Sequence, residues 1–474
     1  MNLLKLTLFI FTINASAIIA QDRLSGKLFA TRSEVIAKNG MAATNHPLAS
    51  QIALDILKMG GSAVDAAIAA NAFLGFADPA MNGPGGDMFA IVWSAEDEKL
   101  IGLNASGKSP QNLTAAYFKE KNMSRIPAAG PLSITVPGVV DGWFALHNRF
   151  GNLEFQTLMA PTINYAREGV GITSETAELM DYLERDLIRF YNLSDDFQWE
   201  DLQYFSQLYR KNGRFPQKGE LFRNPDLANT LEKISKQGRY VFYEGEIAHS
   251  IVSHIRDEGG FMTMDDFINH KSIWVDPVHV NYKGFDIWEI PPNTQGISVL
   301  QILNILEGYD LSKYGFGSKE HVHYFVEAKK LAYADMLTYY GDPDFNSIPV
   351  KKLLSKDYAT ERKNEIRDDW AQSYGPGLES DNHTVYLTVA DKEGNIISLI
   401  QSNSWLFGSL VTPPGLGFPL QNRGNGFTLG EGHINSYEPG KRPFHTIIPA
   451  FITKDDTPYI SFGLTGGDRQ PQGH

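Results

Sequence analysis

Gly375-Pro376-Gly377-Leu378-Glu379-Ser380-Asp381-Asn382-His383-Thr384-Val385-Tyr386-Leu387-Thr388-Val389-Ala390-Asp391 passes from a polar Gly/Pro-containing segment directly into a strand. From Thr384 to Ala390 polar and apolar side chains alternate. Lys392-Glu393-Gly394-Asn395 makes a tight turn, and Ile396 to Gln401 runs back. This predicts a hairpin with Thr384 at its outer end. A threonine hydroxyl is a poor nucleophile unless a base stands beside it, and the residue's own α-amine, with a pKa near ~8, is one such base. That amine exists only if the chain is cut between His383 and Thr384. A threonine opening a strand after a loop is equally ordinary β chemistry, so the spacing alone leaves both readings open.

Working outward, the chain has 474 residues, 42% of them hydrophobic, which is ample for a large core. The net charge of −13 lacks the basic face that a nucleic acid or an anionic membrane surface requires. There is no cysteine, so disulfides, thiol catalysis and cysteine-ligated metals are excluded. No metal or organic cofactor is indicated. Lys5, the apolar stretch Leu6 to Ile13 and Ala15-Ser16-Ala17 read as a secretory signal over residues 1–20, with cleavage after Ala17 or Ala20. The expected location is secreted or periplasmic with no stable membrane anchor, because the apolar stretch is too short and too interrupted to span a bilayer. Sequons fall at Asn104, Asn112, Asn122, Asn192 and Asn382.

Toward the N-terminus, residues 45 to 59 read as a helix with Asn45 as N-cap and Pro47 in the first turn, stopped by Gly60-Gly61. Ser62 caps a second, alanine-rich helix, Ala63 to Phe76. The pair leads through Asn82-Gly83-Pro84-Gly85-Gly86-Asp87 into a strand, Met88 to Trp93. The middle, 150 to 350, reads as mostly helical. Within it, Tyr282 to Ile290 is expected as a strand, Pro291 to Gly296 as a turn and Ile297 to Leu306 as a helix. His321 and His323 fall on opposite sides of the next helix, which argues against a metal pair.

These blocks, in this order, resemble the γ-glutamyltransferase family of N-terminal-nucleophile hydrolases. The resemblance rests on His46 to Ser50, Gly60 to Ala67, Gly83 to Asp87, Val136-Pro137-Gly138, Pro291 to Gly296, Thr384 with Asp391 to Asn395, Phe407-Gly408-Ser409, Gln421-Asn422, Lys441-Arg442-Pro443 and Gly466-Gly467. It implies an α+β fold, a four-layer αββα sandwich made as a proenzyme that cuts itself before the threonine. Residues 21–383 would then form a large fragment, and 384–474 a small one carrying the nucleophile. It also implies that Thr384 forms an acyl-enzyme with a small-molecule γ-glutamyl or related acyl-amide substrate, resolved by water or an amine acceptor. Gly466 and Gly467 match the family's oxyanion-hole position; as bare sequence two glycines are a tight turn. Ser402 and Ser404 lie one strand from Thr384 across the hairpin, either within reach of its hydroxyl or facing solvent.

Several positions depart from the family pattern. Ser106 stands where members carry an arginine for the substrate α-carboxylate, and Gly426 where an acid binds the α-amine. Ser404 replaces an asparagine, Val385 a second threonine, and His445-Thr446 a serine pair. Arg423, in the family's pocket loop, either restores a carboxylate contact or is an ordinary loop arginine. The set is similar to the divergent, cephalosporin-acylase-like branch, so the chemistry is expected to be kept while the acyl selectivity has moved toward a cephalosporin or glutaryl acylase. The chain stops at Gln472-Gly473-His474, a few residues past the glycine pair, so the sandwich is expected to be C-terminally truncated relative to the family. That feature keeps a third reading open, an inactive secreted binding protein on the same fold.

Overall fold

The computed structural model describes residues 34–194, 196–374 and 383–474, with the side chain of His383 excluded. The expected leader, the 375–382 segment and the Asn382 sequon lie outside the described residues. The chain divides into Met1–Asn39 and Gly40–His474, and everything below concerns the second unit.

Ten strands in this unit build its two main sheets: β1 (Gly40–Thr44), β2 (Asp87–Ser94), β3 (Lys99–Ala105), β4 (Ile273–Val275), β5 (Val278–Tyr282), β6 (Phe285–Glu289), β7 (His383–Asp391), β8 (Ile396–Ser404), β9 (Ala450–Lys454) and β10 (Thr457–Phe462). The first sheet runs β1-β7-β8-β2-β3-β4 and the second β10-β9-β6-β5. Every pairing in both is antiparallel. Against the first sheet pack helices that include α1 (Pro47–Lys58), α2 (Ala63–Ala77) and α3 (Val139–Phe150). Against the second pack α4 (Gly296–Glu307) and α5 (Lys319–Tyr339).

Strand alternation sorts the core into three apolar layers. Met88, Ala90, Val92, Val385, Leu387, Val389, Ile397 and Leu399 face the first helical layer. Phe89, Ile91, Trp93, Ile400 and Phe451 fill the space between the sheets. Val280 and Ile287 face Ile297, Leu300 and Leu331 of the other helices. Three interfaces make four layers, which is the expected αββα sandwich.

Local rules explain most elements. In α2 every residue is buried; alanine at half its positions lets it lie close to its neighbours on all sides. Its capping box is complete, Ser62 taking the Asp65 N–H and Asp65 the Ser62 N–H. Two expectations need correction. The cap of α1 is His46, whose Nδ1 accepts from Leu48 N at 3.1 Å. Asn45 instead offers its side-chain oxygen to Tyr386 N at 3.4 Å. The run read as one strand from Tyr282 to Ile290 is broken by Lys283 and Gly284, at φ 53° and 89°. Two consecutive positive φ values turn the chain, so the run closes the hairpin β5–β6. Asn104 is 2% exposed and bonded to Asn293, so its sequon is inaccessible in the fold.

Candidate active site

The hairpin β7–β8 pairs as expected from Ile396↔Ala390 to Gln401↔Val385. There the register slips. The next pair is Ser404↔His383, so β8 advances three residues while β7 advances two. One extra residue opposite Thr384 is a β-bulge, a device that breaks a ladder and re-aims a side chain. The Ser404 N–H donates to Ser402 Oγ at 2.8 Å, and Ser404 itself sits at φ 78°. Both serines are buried, so the solvent-facing reading does not hold.

Across the sheet, Ser402 pairs with Asp87 of β2, and Met88 pairs with Ala105 at the end of β3. Thr384, Ser402, Asp87 and Ser106 therefore form a row over four neighbouring strands, each about 4.8 Å from the next. Alternation turns the row inward: Tyr386, Ile400 and Phe89 share parity with it and lie between the sheets. Gly86 permits the approach, since a Cβ there would stand 2.7 Å from Ser402 O. Thr384 is 0% exposed, and its Oγ1 has no hydrogen-bond partner among the described residues.

Loops at the ends of the second sheet cover this row. Asp87 Oδ1 accepts from Gly107 N at 3.1 Å, and Oδ2 lies 3.2 Å from His445 Nε2. Burial pushes the Asp87 carboxyl up to about 7 against the opposing pull of Arg423 and two backbone N–H groups. Burial, with the Arg423 charge, holds His445 well below the usual histidine range. Arg423, 3% exposed, donates Nη1 to Thr446 Oγ1 at 3.0 Å. Its Nε and Nη2 have no hydrogen-bond partner among the described residues. Desolvation lowers its pKa to about 10, resisted by Asp87 and Asp468. It is not an ordinary surface-loop arginine.

Gly466 and Gly467 sit at φ 131° and 54°, values that favour glycine. Their carbonyls are engaged: Gly466 O accepts from Arg469 N at 2.9 Å and Gly467 O from Gln295 Nε2 at 2.8 Å. The same Gln295 nitrogen reaches Thr446 O at 2.5 Å, tying the glycine loop to the His445-Thr446 segment. Gly463, just upstream, lies against the Tyr386 ring. Ser106 is occupied, donating to Asn104 Oδ1 at 2.6 Å inside a network closed by Asn104 Nδ2 to Asn293 Oδ1 at 2.8 Å. Gly426, where the family pattern has an acid, is exposed.

Thr384, Ser402, Ser404 and Ser106 thus come to one sheet end, and Arg423, His445, Thr446, Gly466 and Gly467 are joined to it through Asp87 and Gln295. Sequence reading missed Asp87, Asn293 and Gln295 as site residues. Asp87 carried a signal, a carboxylate opening a strand whose every residue is buried; Gln295 carried none beyond its place in a turn. His321 and His323 both lie on α5, and His323 Nε2 meets Arg367 O at 2.7 Å. No helix among the described residues is long and apolar enough to cross a membrane.

The family model described as Gamma-glutamyltranspeptidase matches residues 49–474. The glutathione hydrolase-like YwrD proenzyme of Bacillus subtilis (strain 168) is 38% identical over 439 residues, covering 92% of this chain and 81% of its own. A glutathione hydrolase proenzyme from the same strain is 31% identical over 457 residues, with 91% and 76% covered. Among solved structures, the cephalosporin acylase from Bacillus halodurans superposes with a TM-score of 0.87 at 40% identity, over 96% of this chain and 82% of that one.

Proposed function

This chain belongs to the gamma-glutamyltranspeptidase family, and from that premise we propose that it is a self-processing amidohydrolase or acyltransferase with Thr384 as nucleophile. In the precursor, Thr384 Oγ1 attacks the His383 carbonyl and the peptide nitrogen leaves, giving an ester. Water hydrolyses it, freeing a carboxylate on His383 and an α-amine on Thr384. The products are the 21–383 and 384–474 fragments, with the 1–20 leader directing export. In the mature protein that amine takes the hydroxyl proton as Oγ1 attacks a substrate amide. The oxyanion is held by the N–H groups of Gly466 and Gly467, and the amine product leaves with the proton. Water or an acceptor amine then attacks the acyl ester. Ser402, placed beside Thr384 by the bulge, accepts the Ser404 N–H and so holds the backbone around the nucleophile, and Ser404 fixes the bulge.

One observation carries the reading. A wholly buried hydroxyl without a partner costs about 1–3 kcal/mol, and native folds leave few such groups unexplained. Thr384 Oγ1 is one of several among the described residues, set apart by its place at the inward-facing end of the sheet opposite the bulge. A reacting group that waits for a carbonyl accounts for it. In the uncut chain it is out of solvent, so scission precedes substrate entry.

Two acyl preferences compete, γ-glutamyl and glutaryl. The exposed glycine at 426 favours the latter, since it supplies no charge for the α-ammonium that a glutaryl group lacks. The test is a denaturing gel with N-terminal sequencing. Wild type should give two fragments, the smaller starting Thr-Val-Tyr-Leu, and Thr384→Ala a single chain. An uncut wild-type chain that still hydrolyses amides would end the proposal.

A further inference from the structure

Resting on the Thr384 reading above, we propose that Phe407 is a positioning residue for that nucleophile. Its ring, clamped by aromatic side chains from the helical excursion 174–215, holds the strained segment that sets the bulge opposite the His383–Thr384 bond. That segment continues directly from β8. Ser404, Phe407, Gly408 and Leu410 stand at φ 78°, 56°, 61° and 65°. Apart from Gly408, each carries a side chain that this left-handed region disfavours, the bulky Phe407 ring most of all. Such backbone persists only where its surroundings over-determine it, and it gathers at sites that use the conformation. Here it begins at Ser404, the residue that pairs with His383 across the bulge.

The excursion supplies that over-determination. Phe407 is buried, its ring centroid 4.7 Å from Tyr209, 5.0 Å from Phe205 and 5.9 Å from Phe215. Phe205 and Tyr209 belong to the helix Gln203–Tyr209. At the end of the helix Ser174–Tyr191, Tyr191 shares its O–H between Leu406 O and Gly408 O, the latter at 2.8 Å. One hydroxyl thus holds the carbonyls on both sides of Phe407. Trp405 lies against Phe190 and Tyr191, with centroids 4.9 Å and 5.5 Å away. The backbone is anchored as well: Asn403 N donates to Met81 O at 2.9 Å and Phe407 N to Ala80 O at 2.6 Å. If the ring is released and Phe407 relaxes to negative φ, its N–H turns away from Ala80. Only Trp405 and Leu406 then separate that shift from Ser404, whose N–H holds Ser402 Oγ beside Thr384.

The test compares Phe407→Gly with Phe407→Ala. Both lose the ring, but only glycine takes the left-handed region without strain. Precursor is purified cold after brief synthesis, its monodisperse fraction is collected by size exclusion, and cutting is followed over time on a denaturing gel. The cutting rate tracks the fraction of folded molecules that hold the bulge. Phe407→Ala should cut at least about tenfold more slowly than wild type. Phe407→Gly should cut about 5- to 30-fold faster than Phe407→Ala, the left-handed preference expressed as a population ratio. In cut material, kcat for a glutaryl or γ-L-glutamyl 4-nitroanilide should fall in the same order, with KM held within about twofold. Tyr191→Phe keeps the rings and loses only the shared O–H, and should slow cutting by about fivefold. Equal rates for glycine and alanine, or wild-type rates in all of these variants, overturn the clamp and leave the Thr384 reading standing. If neither Phe407 variant folds, Tyr191→Phe decides, and wild-type cutting there overturns the clamp. A wild-type chain that stays uncut and inert overturns both.

Discussion

Gly463→Ala tests the link between the glycine loop and the nucleophile strand. A Cβ at position 463 would stand 2.4 Å from Tyr386 Cε2, 2.6 Å from Cδ2 and 3.0 Å from Cζ. Ordinary carbon contacts lie near 3.5–4.0 Å, so ring and loop must part by roughly 1 Å. The ring is not free to yield. Its hydroxyl is bonded to Ser398 Oγ at 3.0 Å, and Ser398 in turn to Phe462 O at 3.3 Å, the residue before Gly463. Overpacking costs about 1–3 kcal/mol and a strained hydrogen bond about 1 kcal/mol, together roughly 2–4 kcal/mol. Because Tyr386 shares a strand face with Thr384, and Gly463 lies three residues before Gly466, a 1 Å displacement should also lower kcat by about 100-fold, with KM changed less. Urea unfolding and anilide hydrolysis read the two effects. Tyr386→Ala removes the atoms in the clash, so the double variant Gly463→Ala/Tyr386→Ala should be less destabilised than the two singles summed, by about 1–3 kcal/mol. Additive singles, or an unaffected Gly463→Ala, would refute the argument that this contact sets the loop.

Asp78 is buried, its Oδ1 without a hydrogen-bond partner among the described residues, and burial followed by the charge of Glu175 pushes its carboxyl up to about 7. Its folded value lies above the unfolded one, so the folded chain binds the extra proton between about pH 4 and 7 and stability falls as pH rises through that window. Asp78→Asn should flatten that fall, by up to roughly 3 kcal/mol, read as the difference in unfolding free energy between pH 5 and 8 against wild type. A pH dependence unchanged by the substitution would show that the group does not titrate there. Gln295→Ala frees the Gly467 and Thr446 carbonyls. We expect about 1–3 kcal/mol of lost stability and a kcat lowered about 10-fold or more through the glycine pair; a change confined to KM would count against that role. Tyr191→Phe removes a buried hydroxyl bonded to Gly408 O at 2.8 Å and to Leu406 O, and thermal unfolding should report about 1–3 kcal/mol. At Gly107 a Cβ would fall 1.7 Å from Val136 O, so Gly107→Ala should yield little folded protein in a solubility assay, because a backbone carbonyl cannot give way as a side chain can.

The sequence by itself determined the pieces whose signals are short-range. Alternation of Val385, Leu387 and Val389 with Thr384, Tyr386 and Thr388 placed the nucleophile candidate at the end of a strand, on the face opposite the apolar side chains. The Ser62–Asp65 box fixed the start of α2, and the glycines at 466 and 467 marked a turn that β-carbons would hinder. Each follows from a residue and its neighbours within about four positions. Tertiary structure alone decided what those pieces meet. The row Thr384, Ser402, Asp87 and Ser106 joins residues as far apart as Asp87 and Ser402 through strand register, which no local pattern encodes. The cap of α1 passed to His46 while Asn45 turned to Tyr386, because the strand brought a bare N–H within its reach. Above all, whether Arg423 was a surface loop charge or a buried fork with one open edge depended on which distant groups packed around it. Burial and hydrogen-bond partnership are properties of the whole packed chain, so they emerge only when the layers close.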